Sequence, residues 1–126
     1  MDDPTYTVEQ ARALLPQIRA TLLQLAIERR RADVAHGELH HGLRQRTGRA
    51  EQARLEAATE ERNVLVRDLI DHLESLGVVV RDLDGGLVDI PTVREGEPAW
   101  LCWRLADPEL GFWHTTREGF STRKPL

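Results

Sequence analysis

Two periodicities divide the chain. Between Leu15 and Leu76 the apolar residues step by three and four, and after Gly77 they alternate in twos or run in β-branched blocks. The first helical stripe is Leu15, Ile18, Leu22 and Leu25, continued by Arg29, Ala32 and His36. It is apolar at its start and polar at its end. The second is Leu55, Ala58, Arg62, Leu65, Leu69, His72 and Leu76, polar early and apolar late. Mirror-image stripes about a turn are what an antiparallel helical hairpin requires, with apolar ends at the base and polar ends at the tip. Thr7-Val8-Glu9-Gln10 is a capping box and predicts a helix from Val8, with Tyr6 as the outer half of a hydrophobic staple. Pro16 removes a backbone donor and crowds the preceding turn, so it predicts a short first helix ending near Leu15, or a kink there. After Gly37 the glycines at 42 and 48 read as the turn region. A second helix then spans about Arg49 to Leu76, with Gly77 as its C-cap. Each arm would run about 35–45 Å, more than a four-stranded sheet can cover. The surplus predicts a projecting coiled coil or packing on a second copy, and dimerisation buries its apolar part most readily.

Beyond Gly77 the elements become strands. Val78 to Leu83 is a β-branched run, Asp84-Gly85-Gly86 a tight hairpin turn, and Leu87-Val88-Asp89-Ile90 the returning strand, ending at Pro91. Val93 to Pro98 reads as a loop. Ala99–Leu105 and Leu110–Thr115 form a second hairpin about Ala106-Asp107-Pro108-Glu109, and the tail from Glu118 reads as irregular but anchored by Phe120. The expected fold class is α+β: a long antiparallel helical hairpin packed on a small antiparallel sheet of about four strands. It forms a single domain over 1–126, with 7–76 as the hairpin, 78–115 as two β-hairpins and 116–126 as an anchored tail.

At 126 residues the chain can bury a real core. Its net charge of −4 argues against nucleic acid and anionic membranes as partners. Of its 17 basic residues only Lys124 is a lysine, which reads as genomic base composition. One cysteine forms no internal disulfide. The opening Met1-Asp2-Asp3-Pro4 is acidic and is not a signal peptide, and no apolar run is long enough to cross a bilayer. The expected location is the cytoplasm. All three tryptophans, both phenylalanines and the cysteine lie from Trp100 onward, so any specific site belongs to that aromatic unit.

Candidate chemistry is sparse. With Leu105 opposite Leu110 and Leu101 opposite His114, Cys102 and His114 fall on opposite faces and, unless a bulge intervenes, cannot share a metal ion. Cys102 then reads as a small buried hydrophobe. Both faces carry large apolar groups, and the helices cover only one; the other needs the tail, a second subunit or a ligand. Asp82 and Asp89 lie on one face for any even turn at Gly85-Gly86. They could serve as a divalent-metal or acid/base pair, or be balanced by Arg81 or Arg94, or cap the turn. No metal set is favoured, and Asp82 and Asp89 are the weak candidates. His36 and His40 have i, i+4 spacing, but Gly37 lies between them and the tip reads as polar. Arg29-Arg30-Arg31, Arg44, Arg46, Arg49 and Arg54 are largely neutralised by Glu28, Glu51, Glu56, Glu60 and Glu61 at helical spacing. Neither a phosphate-cradling glycine loop nor a Ser–His–Asp order is present.

An ordered string of blocks resembles a family. Gly86-Leu87-Val88-Asp89-Ile90-Pro91, Leu101-Cys102-Trp103, Phe112-Trp113-His114, Gly119-Phe120 and Arg123-Lys124-Pro125-Leu126, preceded by Thr7-Val8-Glu9-Gln10-Ala11 and Leu14-Leu15-Pro16, look like an uncharacterised prokaryotic family, domain of unknown function 2203. The resemblance covers nearly the whole chain. Ile90 stands where an aromatic is typical, and Ala106-Asp107 where Gly-Glu is expected. The resemblance implies kinship and no activity.

The leading expectation is a non-enzymatic interaction or regulatory module acting as a homodimer through its aromatic sheet face and helical arms, with a protein partner as the further contact. The alternative is a small-molecule or divalent-metal-dependent binder or enzyme. Its pocket would lie between sheet and helices, built from Asp82, Asp89, His114 and Arg123 with Trp103 or Trp113 as walls. Arg123 could hold a carboxylate or phosphate, or anchor the tail through a salt bridge. No cofactor is named by the sequence.

Overall fold

The computed structural model describes residues 4–126; the acidic opening Met1-Asp2-Asp3, read above as no signal peptide, lies outside them. The elements are α1 (Val8–Arg44), α2 (Arg49–Ser75), β1 (Val79–Asp82), β2 (Leu87–Arg94), β3 (Glu97–Arg104), β4 (Phe112–Thr115), a single 3-10 turn (Phe120–Thr122) and β5 (Lys124–Pro125). The strands form one antiparallel meander in the order β1-β2-β3-β4-β5. The class is α+β, and the sheet has a fifth strand because two residues of the tail pair with β4 through Phe112↔Pro125 and Trp113↔Lys124. No helix among the described residues is long and apolar enough to cross a membrane.

The helix ends carry the chemistry their residues predict. The Thr7 amide donates to Gln10 Oε1 at 2.9 Å and the Gln10 amide to Thr7 Oγ1 at 3.1 Å, a complete capping box. Gly77, at φ +80°, closes α2 with the paired bonds Val78 N–H to Leu73 O and Gly77 N–H to Glu74 O. That is the Schellman pattern, which needs a left-handed residue at this position. Tyr6 ties the two ends of this region together. Its hydroxyl donates to Leu76 O at 2.6 Å and its amide to Pro91 O at 2.8 Å.

Four local expectations are corrected. Of the two outcomes expected at Pro16, a stop near Leu15 or a kink, the stop is ruled out: α1 continues through Pro16. A missing donor costs one bond, and the amphipathic stripe on either side outweighs it. Nor does the helix stop at Gly37: it runs to Arg44, and only residues 45–48 connect the arms. The segment Val93 to Pro98 is not a loop. Glu95 (φ 53°) and Gly96 (φ +81°) make a two-residue turn, and β2 and β3 pair up to Arg94↔Glu97. Positive φ at both central residues is the requirement of a type I′ hairpin. Pro91 is tolerated inside β2 because β1 pairs no further along it than Asp89, which leaves an edge on that side. The fourth correction, the register of β3 and β4, decides the site and is described below.

The chain divides into two compact units, Met1–Leu22 with His72–Leu126, and Leu23–Asp71. In the first, one face of the sheet carries the register pairs Val88↔Trp103, Ile90↔Leu101 and Thr92↔Ala99, all buried. With Ala11, Ile18, Leu22 and Leu73 they form its core, and Arg19 lies 4.9 Å over the Trp103 ring. In the second, Leu25 and Leu55 are the only buried large apolar side chains, beside buried Glu28 and Thr59. The Thr59 hydroxyl donates to Leu55 O within its own helix and lies 3.2 Å from Ala35 O of the facing arm.

Candidate functional site

The register of β3 and β4 places the chemistry. Trp100 pairs with His114, Leu101 with Trp113 and Cys102 with Phe112. This differs by one residue from the register expected for a turn at 106–109, and a slip of one exchanges the faces. Cys102 and His114 therefore share a face, and the expectation that they lie on opposite sides is overturned. The cause is Asp107. Its carboxylate accepts from the Arg104 amide at 3.2 Å while its own amide donates to Arg104 O at 2.9 Å, so β3 ends at Arg104 and an odd-numbered connection follows.

Asp89 lies opposite Cys102 on the neighbouring strand, and the alternation of β2 puts both on the face away from Trp103. Asp89, Cys102 and His114 are all buried, and one ligand atom from each lies within 4.8 Å of the others. His114 reaches diagonally across Cys102, with Nε2 2.9 Å from Asp89 Oδ1. Its Nδ1 lies 2.8 Å from Thr115 O; a carbonyl only accepts, so Nδ1 carries the hydrogen. The other carboxylate oxygen of Asp89 accepts from Arg81 Nε at 2.9 Å. The Cys102 thiol is pushed up to about 11, first by burial and then by the Asp89 charge.

This is not the geometry of an activated nucleophile. A Cys–His pair needs one imidazole nitrogen on sulfur and the other on an orienting group. Here both nitrogens are engaged, one by Thr115 O and one by Asp89, and the thiol holds its proton.

The C-terminal tail covers this face. Arg123 donates to Asp107 Oδ2 at 2.8 Å and lies 3.9 Å from the Phe112 ring centre and 4.3 Å from that of Phe120. Burial pushes the Asp107 carboxyl up, but the bonds from Arg123 and the Arg104 amide outweigh it and hold it below the usual carboxylate range. Next to the cluster a cleft of about 380 Å³ is lined by Arg81, Asp89, Trp100, Glu118 and Phe120 among others.

The six residues proposed as a ligand set are thus divided. Asp89 and His114 meet on the tail-covered face, not between sheet and helices. Arg123 anchors the tail beside them. Trp103 is in the core on the other face, and its indole Nε1 has no acceptor among the described residues. Trp113 faces that way too, clamped between Arg94 and Lys124 at 4.5 and 4.9 Å from its ring centre. Asp82 is exposed and accepts from the Asp84 amide at 3.2 Å, the turn-capping role. Sequence reasoning missed Cys102 as a member of the cluster and Asp107 as an anchor. The available signal was Asp107 itself, an acceptor able to stop a strand three residues earlier. His36, His40 and His41 are exposed on α1.

The arms offer a second candidate surface. Leu23, Ile27 and Val34 are 51%, 53% and 56% exposed. With Arg30, Ala58 and Arg62 among others they line a groove of about 1010 Å³. Arg31 and Arg62 both reach the buried carboxylate of Glu28, at 2.9 and 3.5 Å.

Comparison with known proteins adds kinship. The model of the family DUF2203, described as an uncharacterized conserved protein, matches residues 4–126. No curated protein and no solved structure matches the chain.

Proposed function

The chain belongs to the DUF2203 family, and from that premise, which fixes kinship and no reaction, we propose that it is a non-enzymatic interaction module that self-associates through its helical arms. The carrying observation is the stripe Leu23, Ile27 and Val34, each more than half exposed on one face of α1. An arm pair with only Leu25 and Leu55 as buried large apolar residues has little core of its own. A second copy laid into the groove supplies the missing burial, as in other bundles of paired hairpins. Charge favours a copy of this chain as the occupant. Glu28 pairs with both Arg31 and Arg62, and Arg30 and Glu38 flank Val34 on the stripe. In an antiparallel arrangement centred on Val34, Arg30 of each copy meets Glu38 of the other. The aromatic sheet surface gives this reading less support, because tail and helix cover its two faces. A single free cysteine, Cys102, suits a reducing compartment such as the cytoplasm.

Light scattering after size exclusion tests the reading. The expected mass is twice the 14.3 kDa of the chain. Val34→Glu with Ile27→Glu gives the single-chain mass with helical circular dichroism retained. A wild-type protein that stays at the single-chain mass at the highest concentration reached refutes it.

A further inference from the structure

We propose that Asp89, Cys102 and His114 form a binding site for a zinc-class divalent transition metal. The argument starts from a hydrogen-bond mismatch. With its Nδ1 hydrogen committed to Thr115 O, His114 presents Nε2 to Asp89 Oδ1 at 2.9 Å, and both atoms are acceptors in their basic forms. A cation must lie between them, either a proton or a metal ion. Cys102 supplies the third donor, and all three ligand atoms lie within 4.8 Å of each other. Around a tetrahedral ion with bonds of about 2.0–2.3 Å the ligand atoms stand roughly 3.3–3.8 Å apart. Side-chain movements of about an ångström therefore complete the site without a change of fold.

The surroundings are those of a metal centre. A ligating imidazole is normally held by a bond from its other nitrogen to a carbonyl or carboxylate, and Thr115 O does this. Ligating carboxylates are normally hydrogen-bonded on their second oxygen, and Arg81 does that for Asp89. Asp89, Cys102 and His114 are 2%, 1% and 2% exposed, so water competes poorly for the ion. One thiolate, one imidazole and one carboxylate match zinc-class ions; calcium and magnesium require all-oxygen shells. Three protein ligands leave one position open, as in zinc sites that bind a water or a ligand. Asp89 also lines the cleft with Arg81, Trp100, Glu118 and Phe120, so a small molecule there lies next to the ion. Uptake expels the Cys102 thiol proton and adds no oxidant or reductant.

The test is a cobalt(II) titration of the untagged, chelator-stripped full chain under anaerobic conditions, followed by zinc. One equivalent should bind, with a sulfur-to-cobalt charge-transfer band in the near ultraviolet and visible bands of tetrahedral intensity; zinc should abolish both. Cys102→Ser should remove the charge-transfer band, and His114→Ala should weaken binding more than about 100-fold. His36→Ala, His40→Ala and His41→Ala combined should leave the spectrum intact. No stoichiometric uptake by the wild-type chain with native circular dichroism overturns the proposal, whether or not any variant folds. A band that survives Cys102→Ser, or vanishes with the three exposed histidines, overturns it equally. Self-association is read separately by mass, so failure of either idea leaves the other standing.

Discussion

Asp107 does two jobs with one carboxylate. It ends β3 by accepting from the Arg104 amide and it holds the tail by pairing with Arg123. Both side chains of the ion pair are about nine-tenths buried, at 11% and 10% exposure. Removing one partner of such a pair leaves a charge desolvated and unpaired. Asp107→Asn should therefore cost about 3 kcal/mol, read from urea midpoints at neutral pH. The sign with pH follows from the depressed native carboxyl. Its contribution is complete above the unfolded value of about 3.9 and disappears as the pH falls through the lower native one. The gap between wild type and variant should narrow only below about pH 4. A constant gap down to pH 3 would mean that the carboxylate charge is not what stabilises the tail. Cys102, 1% exposed, should not react with a disulfide reagent in the folded metal-free chain and should react fully in denaturant.

At the scale of elements, turn chemistry decides where chains end and which faces meet. Two glycines separate backbone strain from crowding. Gly96 has φ +81° and nothing within 4 Å of a built Cβ, whereas Gly77 has φ +80° with Pro4 and Pro91 at 3.1 and 3.3 Å. Gly96→Ala should cost about 1 kcal/mol, and Gly77→Ala about 2–3 kcal/mol, measured by thermal or urea unfolding. Equal costs would mean that the proline contacts relax freely. Thr7→Ala removes half of the capping box and should cost about 1 kcal/mol. The β3–β4 connection carries the larger consequence. A four-residue turn about 106–109 and the observed connection after Arg104 differ in parity. Parity alone moves His114 from the core-facing surface to the Asp89–Cys102 side.

For the molecule as a whole, the two compact units bury their apolar residues differently. The sheet-containing unit has a full core in Ile18, Leu73, Ile90, Leu101 and Trp103. The arm unit buries two leucines and leaves Leu23, Ile27, Val34 and Leu43 more than half exposed. That asymmetry predicts that unfolding depends on protein concentration. A midpoint that rises with concentration in wild type, and not in Ile27→Glu/Val34→Glu, identifies association as the source of arm stability. Concentration-independent unfolding of both would separate the arms from any self-contact.

Residue pattern by itself determined the α+β class, the two helices, the capping box at Thr7, the C-cap at Gly77 and the first β-hairpin turn. Each rests on contacts within a few positions, where local geometry and hydrophobic period leave few choices. It named Asp89, His114 and Arg123 within a six-residue set between sheet and helices, and the structure divides that set and puts these three on the other face. Only the tertiary structure decided that α1 passes through Pro16, because a stripe buried on the sheet outweighs one lost backbone bond. Only the tertiary structure set the β3–β4 register: Asp107 stops β3 through its bond to the Arg104 amide, and nothing in the sequence ranked that stop above a turn at 106–109. That register put Cys102 beside His114.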